Sequence, residues 1–528
     1  MTRIQAVLIA AIAAAPLVLS AQTPSGATGF PVEETTIARI HEAMKAGRLT
    51  CRALVDEYLR RIDAFDKKGP AINAIVQINS DARQQADDLD RRYKSSGPTG
   101  PLHCIPTIVK DNFETIGLQT AAGSLALEGF ISSKDAFQVR RIKGAGAIVL
   151  AKSNMAEWAF TPYETVSSIL PGYTKNPYGL DRVTAGSSGG TAAAVAANLG
   201  AVGLGSDTGN SIRGPSSHQS LVGIRSTMGL TSRAGVVPLS VLADIAGPMT
   251  RTVEDAVAIF QVIVGEDPAD PITIDDAVMA AFRPGNRPSR IPDYSTSLVR
   301  DGLRGARIGV LRQAYERDTT DREIVDVFMK AVEDMRRAGA VIVDPAAVPL
   351  DGIARAPGAA PCGGFKHDIN RYLASHGDRI PVKSLQDIIK SRRYHPSVQR
   401  RLEQSQEGAE NGPESAACKA EAEYRHEVRQ AVTGVMDTLK LAAFVYPTWS
   451  NVPRLIGDLN TPHGDNSQFF SPTTGFPAIQ VPMGYTRGDT LPAGVTFFGR
   501  AWDEATLIRL AYSYEQHTKH RRAPKLEK

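Results

Sequence analysis

Cysteine is scarce in this chain: there are four, Cys51, Cys104, Cys362 and Cys418, among 528 residues. They stand far apart with no CxxC pair, which argues against a structural zinc and is too sparse for a disulfide scaffold. Histidine is thin as well, ten in all. His517 and His520 sit close together, but no second ligand cluster accompanies them, so no metal is expected. An excess of one charge is also missing. Sixty Lys and Arg face 56 Asp and Glu, a formal +4, without the basic stripe that nucleic acid requires. The one basic run, 517–528, reads as a solvated end. After the first residues no segment is apolar enough to cross a bilayer.

Those first residues are different. Arg3 is followed by AVLIAAIAAAPLVLSA, which ends in small residues before Gln22. A positive start, a short apolar middle and a small-residue exit mark a secretory signal peptide. Pro16 interrupts the run, and a span needs about 17 apolar residues. Residues 1–21 are therefore expected to be a leader, residues 22–528 the functional domain, and the mature protein periplasmic or secreted.

From Thr36 onward the pattern alternates. Apolar residues at three- and four-residue intervals predict helices over 81–94, 136–143, 253–264, 321–338, 421–439 and 504–514. Short apolar runs predict strands at 71–76, 105–109, 147–152, 307–311, 340–343, 442–446, 478–482 and 494–498. Such alternation implies an α/β fold: one large, mostly parallel sheet covered by helices on both faces. Two stretches rich in Pro and charge, Glu266–Asp301 and Pro349–Pro413, read as surface loops or as insertions bordering a cleft.

The densest signal is Ala185–Gly235, where small residues dominate and leave backbone N–H groups reachable by a ligand. No Lys follows Gly186 and Gly190, so this is not a Walker loop. Gly144-Ala145-Gly146 follows a helix and precedes a strand, which suits a helix C-cap and not a dinucleotide fingerprint. Gly186-Ser187-Ser188-Gly189-Gly190 also satisfies G-x-S-x-G. That elbow needs a buried strand before it, and 181–184 is a poor one; its histidine would be an arbitrary choice of His463.

Three blocks fit one pattern together. They are Ile105-Pro106-Thr107-Ile108-Val109-Lys110-Asp111, Gly186-Ser187-Ser188-Gly189-Gly190 and Ser206-Asp207-Thr208-Gly209-Asn210-Ser211-Ile212-Arg213. On these, the chain resembles the amidase signature family. The likeness continues in Gly223-Ile224-Arg225-Ser226-Thr227, Ala246-Gly247-Pro248-Met249 and Thr474-Gly475-Phe476-Pro477-Ala478-Ile479, and so covers the mature chain.

The resemblance implies an amide hydrolase working through an acyl-enzyme, with a small-molecule amide as substrate and no cofactor. Ser211 would be the nucleophile, Ser187 a bridging serine after a cis peptide, and Lys110 the base, kept neutral by burial or neighbouring positive charge. Backbone N–H groups of Thr208, Gly209, Asn210 and Ser211 would form the oxyanion hole. Asn210 departs from the family's usual second glycine; an Asn tolerates a positive φ there, and the space beside the nucleophile changes. Asp207 and Arg213 would bracket the turn as an ion pair. Ser188 would either support the site by a hydrogen bond or cap the following helix. Met155, Trp158 and Phe160 could line a pocket, but such a cluster more often belongs to a core. The chain is similar, too, to the A subunit of the amidotransferases, which the leader speaks against; the other alternative is an esterase or carbamate hydrolase using the same site.

Overall fold

Short runs rich in Val, Ile and Ala, many of them buried on both faces, make the strands of this protein. The computed structural model describes residues 30–274, 276, 279–355 and 362–526; the leader segment 1–21 lies outside them. The strands are β1 (Ile75–Ile78), β2 (Pro106–Lys110), β3 (Ile148–Ser153), β4 (Lys175–Asn176), β5 (Gly179–Val183), β6 (Val202–Asp207), β7 (Val222–Arg225), β8 (Ile245–Thr250), β9 (Arg307–Val310), β10 (Val341–Val343), β11 (Ala443–Pro447), β12 (Ala478–Thr486) and β13 (Leu491–Phe498). Eleven form one sheet in the order β1-β3-β2-β6-β8-β7-β12-β13-β11-β9-β10, and β4 pairs with β5 alone. The sheet is mixed. β3, β2 and β6 run parallel, as do β11, β9 and β10. Between these flanks every pairing is antiparallel, so the expectation of a mostly parallel sheet holds only on either side of the centre.

Helices cover the sheet, and the helix Arg322–Arg337 shows why they form. Ile324, Val327, Phe328, Ala331, Val332 and Met335 recur at helical spacing and are buried, and the Asp321 side chain accepts from Glu323 N to cap the first turn. The expected helices and flanking strands all form, with ends shifted by a few residues. The strands missed are β6 and β7 of the glycine-rich centre and β4, β5 and β8 on either side of it. β6 reads Val-Gly-Leu-Gly-Ser-Asp, poor in β-branched residues. Its glycines answer packing instead: a Cβ at Gly205 would stand 2.6 Å from Met249 Sδ and 3.0 Å from Ser188 Oγ.

The stretch Pro349–Pro413 is not merely loop. It carries helices Phe365–His376, Leu385–Ser391 and Gln399–Glu407. Their buried Phe365, Ile369, Leu373, Leu385 and Leu402 join Met155, Trp158 and Phe160 in an apolar cluster apart from the main core. Those three residues are thus core, the more ordinary of the two readings. Among the described residues no helix is long and apolar enough to cross a membrane.

Two expectations are overturned. All four cysteines pair, as Cys51–Cys104 and Cys362–Cys418, with separations of 53 and 56 residues that no local spacing reveals. The basic end is not simply solvated either. Arg521 is an ion pair with Glu34 at 2.7 Å and donates to Ser220 O at 2.8 Å, while Tyr178 donates to Arg522 O at 2.5 Å. The chain's two ends are therefore fastened to each other and to the small-residue centre.

The first disulfide joins the start of helix Cys51–Ile62 to the residues leading into β2. Replacing Cys51 and Cys104 together by Ser should lower the unfolding free energy by about 2–4 kcal/mol. Urea melts of the oxidised protein read this directly, and an unmoved midpoint would contradict a stabilising tie at this place.

Candidate active site

β2 and β6 are parallel neighbours, so their C-terminal ends lie side by side. Lys110 ends β2 and Asp207 ends β6. Two turns converge on these ends: Ala185–Ser188, which leads into helix Gly189–Ala196, and Thr208–Ile212, which follows β6. Small residues make the convergence possible. A Cβ at Gly190 would stand 2.2 Å from Asn154 O, so any larger residue would push the helix off its seat. The peptide Gly186–Ser187 is cis.

The fold thus brings Lys110 and Ser187 together and sets the Ser211 turn beside them. Lys110 Nζ donates to Ser187 Oγ at 2.8 Å, to Ser206 Oγ at 2.9 Å and to Ser206 O at 3.3 Å. The lysine is fully buried, and burial pulls its ammonium down to about 7, against the opposing pull of Asp244 and Asp207. These partners suit a neutral amine. Its two N–H groups can go to Ser206, leaving the lone pair for the Ser187 hydroxyl.

Ser211 is 5% exposed, and its Oγ donates to Asn210 Oδ1 at 3.4 Å. Among the described residues no hydrogen bond joins Ser211 to Ser187. The N–H groups of Thr208, Gly209, Asn210 and Ser211 have no acceptor among the described residues. Neither Gly209 nor Asn210 takes a positive φ, so the tolerance of Asn for that region is not what admits it here. Gly209 is small because a Cβ would meet Gln468 Oε1 at 2.9 Å.

Asp207 organises the turn. Its carboxylate accepts from Arg213 Nε at 3.0 Å and from Arg225 Nη1 at 3.0 Å, all three residues being fully buried. Burial alone would raise this carboxyl, but the two guanidiniums overrule it and hold it at about 2. Arg213 also donates to Gly209 O at 2.6 Å and Ser467 O at 2.8 Å, which ties the turn to a distant segment. Ser188 stands at the N-cap position without making a capping bond. Its hydroxyl donates to Ser206 O at 3.1 Å and accepts from Ser206 N at 3.3 Å, so of its two readings the supporting hydrogen bond holds.

Four participants escaped the sequence reading. Ser206 holds the lysine, and Asn112 Nδ2 donates to Ser206 Oγ at 3.0 Å. Asp244 accepts from Thr208 Oγ1 at 2.5 Å and anchors the start of the turn. Arg225 is the second arginine on Asp207. Ser206 and Arg225 lie inside the quoted motifs and could have been found there; Asp244 has no local signal. His463 stacks on Tyr163, ring centroids 4.5 Å apart, and is not placed as the elbow reading would need. A second buried lysine, Lys152, shows what distinguishes Lys110. Its Nζ goes to the carbonyls of Phe113 at 2.7 Å and Gln119 at 3.0 Å, with no serine of either motif among its partners.

The site is thus a buried lysine beside two small-residue turns at the ends of β2 and β6, and comparison with known proteins says what class of protein carries it. The family model for amidases matches residues 53–508. A probable amidase of Arabidopsis thaliana is 34% identical over 516 residues, covering 94% of this chain and 92% of the relative. The A subunit of glutamyl-tRNA(Gln) amidotransferase from Halorhodospira halophila is 32% identical, with 93% and 99% covered. The crystal structure of native peptide amidase from Stenotrophomonas maltophilia superposes with a TM-score of 0.83 at 36% identity, covering 94% of this chain and all of the other. The chain belongs to the amidase signature family.

Because Asp207 is the carboxylate paired with both buried guanidiniums, Asp207→Asn should cost about 3–5 kcal/mol of stability. Denaturant unfolding measures it, and a variant as stable as the parent would show that the pair contributes nothing net.

Proposed function

We propose that this chain is an exported amidase that opens a carboxamide C–N bond through a Ser211 acyl-enzyme. The observation that carries the reading is Lys110, buried, brought to about 7 and 2.8 Å from Ser187 Oγ. In the first step Ser211 Oγ attacks the amide carbonyl carbon. Its proton passes to Ser187 Oγ as the Ser187 proton passes to neutral Lys110. The new oxyanion sits among the free N–H groups of Thr208, Gly209, Asn210 and Ser211, where one such donor is worth about 2.7–4 kcal/mol in the barrier. Collapse of this intermediate breaks the C–N bond, and the proton returns through Ser187 to the leaving amine or ammonia. Water, deprotonated by the same relay, then attacks the acyl carbon and releases the carboxylate.

Export is supported by the leader-like first 21 residues and by two disulfides, which persist in oxidising compartments. The same features favour hydrolysis over amidotransfer, a cytoplasmic task done with partner subunits. Residues 22–528 are proposed to form the catalytic domain.

Ser211→Ala should reduce amide hydrolysis at least about a thousandfold while leaving the thermal midpoint in place. Retained turnover on a panel of amides, anilides, esters and carbamates would remove Ser211 from the mechanism. The free-enzyme rate should also depend on pH. Lys110 must be neutral to accept a proton, so kcat/KM should climb through pH about 7 and level off above it. A flat profile between pH 6 and 8 would exclude it as the base.

A further inference from the structure

Three guanidinium groups stand near Tyr163 and His463, and among the described residues none is in an ion pair. Arg454 lies over the Tyr163 ring at 5.2 Å, and Arg401 lies over the Phe160 ring at 4.5 Å. Arg401 also donates to Phe160 O. Arg317 is held by Ser450 Oγ at 3.0 Å and by Asn466 Oδ1. Tyr163 is half-buried and carries the exposed His463 on its ring. Together these side chains make a ledge with flat aromatic faces and unpaired positive charge.

The ledge is built onto the catalytic turns from two directions. On one side Gly186 N donates to Pro162 O at 2.7 Å, so Tyr163 follows directly on the residue that braces the Gly186–Ser187 peptide. On the other, Asp465 N donates to His463 Nδ1 at 3.2 Å, and Asp465 accepts from Gln468 Nε2 at 2.5 Å. Gln468 in turn lies against Gly209 of the proposed oxyanion turn. A substrate reaching Ser211 between these turns would meet the ledge.

The nearby carboxylates Glu164 and Asp458 act on Arg454 and offset its charge in part, but none forms an ion pair with it. Asp465 is turned to Ser467 N at 2.9 Å and to Gln468. Asp458 is taken up by Asn460 N at 2.8 Å and Thr461 N at 3.1 Å in its own turn. Burial raises the Glu164 carboxyl, beside Tyr163, and Arg454 opposes that shift. Partial burial, together with Arg454 and Arg317, holds the His463 imidazole below its usual value.

We infer that this ledge binds a carboxylate carried by the substrate, so that the amides this enzyme takes best are acidic ones. The inference rests on the hydrolytic site proposed above. A guanidinium fork matches a carboxylate in geometry, and the exposed His463 ring, stacked on Tyr163, offers a face to the flat part of the ligand. Nearly balanced charge over the whole chain is consistent with this, because the selection is made by three local cations and not by a general field.

The test uses two primary amides that differ only in a terminal carboxylate against a hydroxymethyl group. The full-length enzyme should favour the acid by about tenfold, mainly through KM, and added salt should shrink that ratio. Arg454→Gln should collapse the ratio toward one, and Arg454→Lys should restore part of it. A wild type that takes the neutral amide equally well overturns the proposal, as does an Arg454→Gln enzyme that slows both amides and keeps the ratio. Calorimetry on Ser211→Ala separates the two readings. If that protein binds the acid in preference while the wild type hydrolyses neither amide, the ledge stands and the hydrolytic reading falls.

Discussion

The buried carboxylate of Asp207 is the interaction on which the site depends. It ends a central strand and pairs with both Arg213 and Arg225, which helps hold both guanidiniums inside the protein. Through Arg213 it grips Gly209 O and Ser467 O, and through Arg225 it reaches Ala243 O at 2.8 Å, next to Asp244. One charge therefore ties the Thr208–Ile212 turn to the antiparallel centre of the sheet and to the 467 region. Among the described residues the Thr208–Ser211 N–H groups have no protein acceptor.

Burial then decides what the lysines can do. Lys110 and Lys152 lie on neighbouring parallel strands and are both fully buried. Desolvation lowers both, Lys110 to about 7 and Lys152 to about 8. What differs is the company. Lys152 donates mainly to the carbonyls of Phe113 and Gln119, with the Thr120 hydroxyl farther off at 3.4 Å. Lys110 faces hydroxyls that can donate as well as accept. A proton relay requires that reversibility, and hydroxyl groups provide it.

Much of this was legible in the chain. Helices with strong periodicity, such as Arg322–Arg337, and the apolar strands of the flanks were read with small errors at their ends. The three motif blocks placed Lys110, Ser187, Ser188, Asp207 and Ser211 in one site through a family resemblance. The central strands were not legible, because Val202–Asp207 looks like a loop by composition; its glycines are there to admit Met249 and Ser188, which lie far along the chain. The helices of 365–407 were hidden by the Pro, Gly and charge between them. The cysteine pairs were hidden by their separation, since nothing in residues 51 or 362 names a partner more than fifty positions away.

Residue type and order carry the chemistry that is possible: a lysine, two serine blocks, small residues where backbones must approach, and an alternation that builds an α/β sheet. Folding alone settles which of these groups act. The acidity of Lys110 comes from losing water, the role of Ser206 from standing 2.9 Å from its nitrogen, and the fastening of Arg521 from an ion pair with Glu34 at the other end of the chain. Each of those depends on distance and burial, quantities that a linear sequence does not contain.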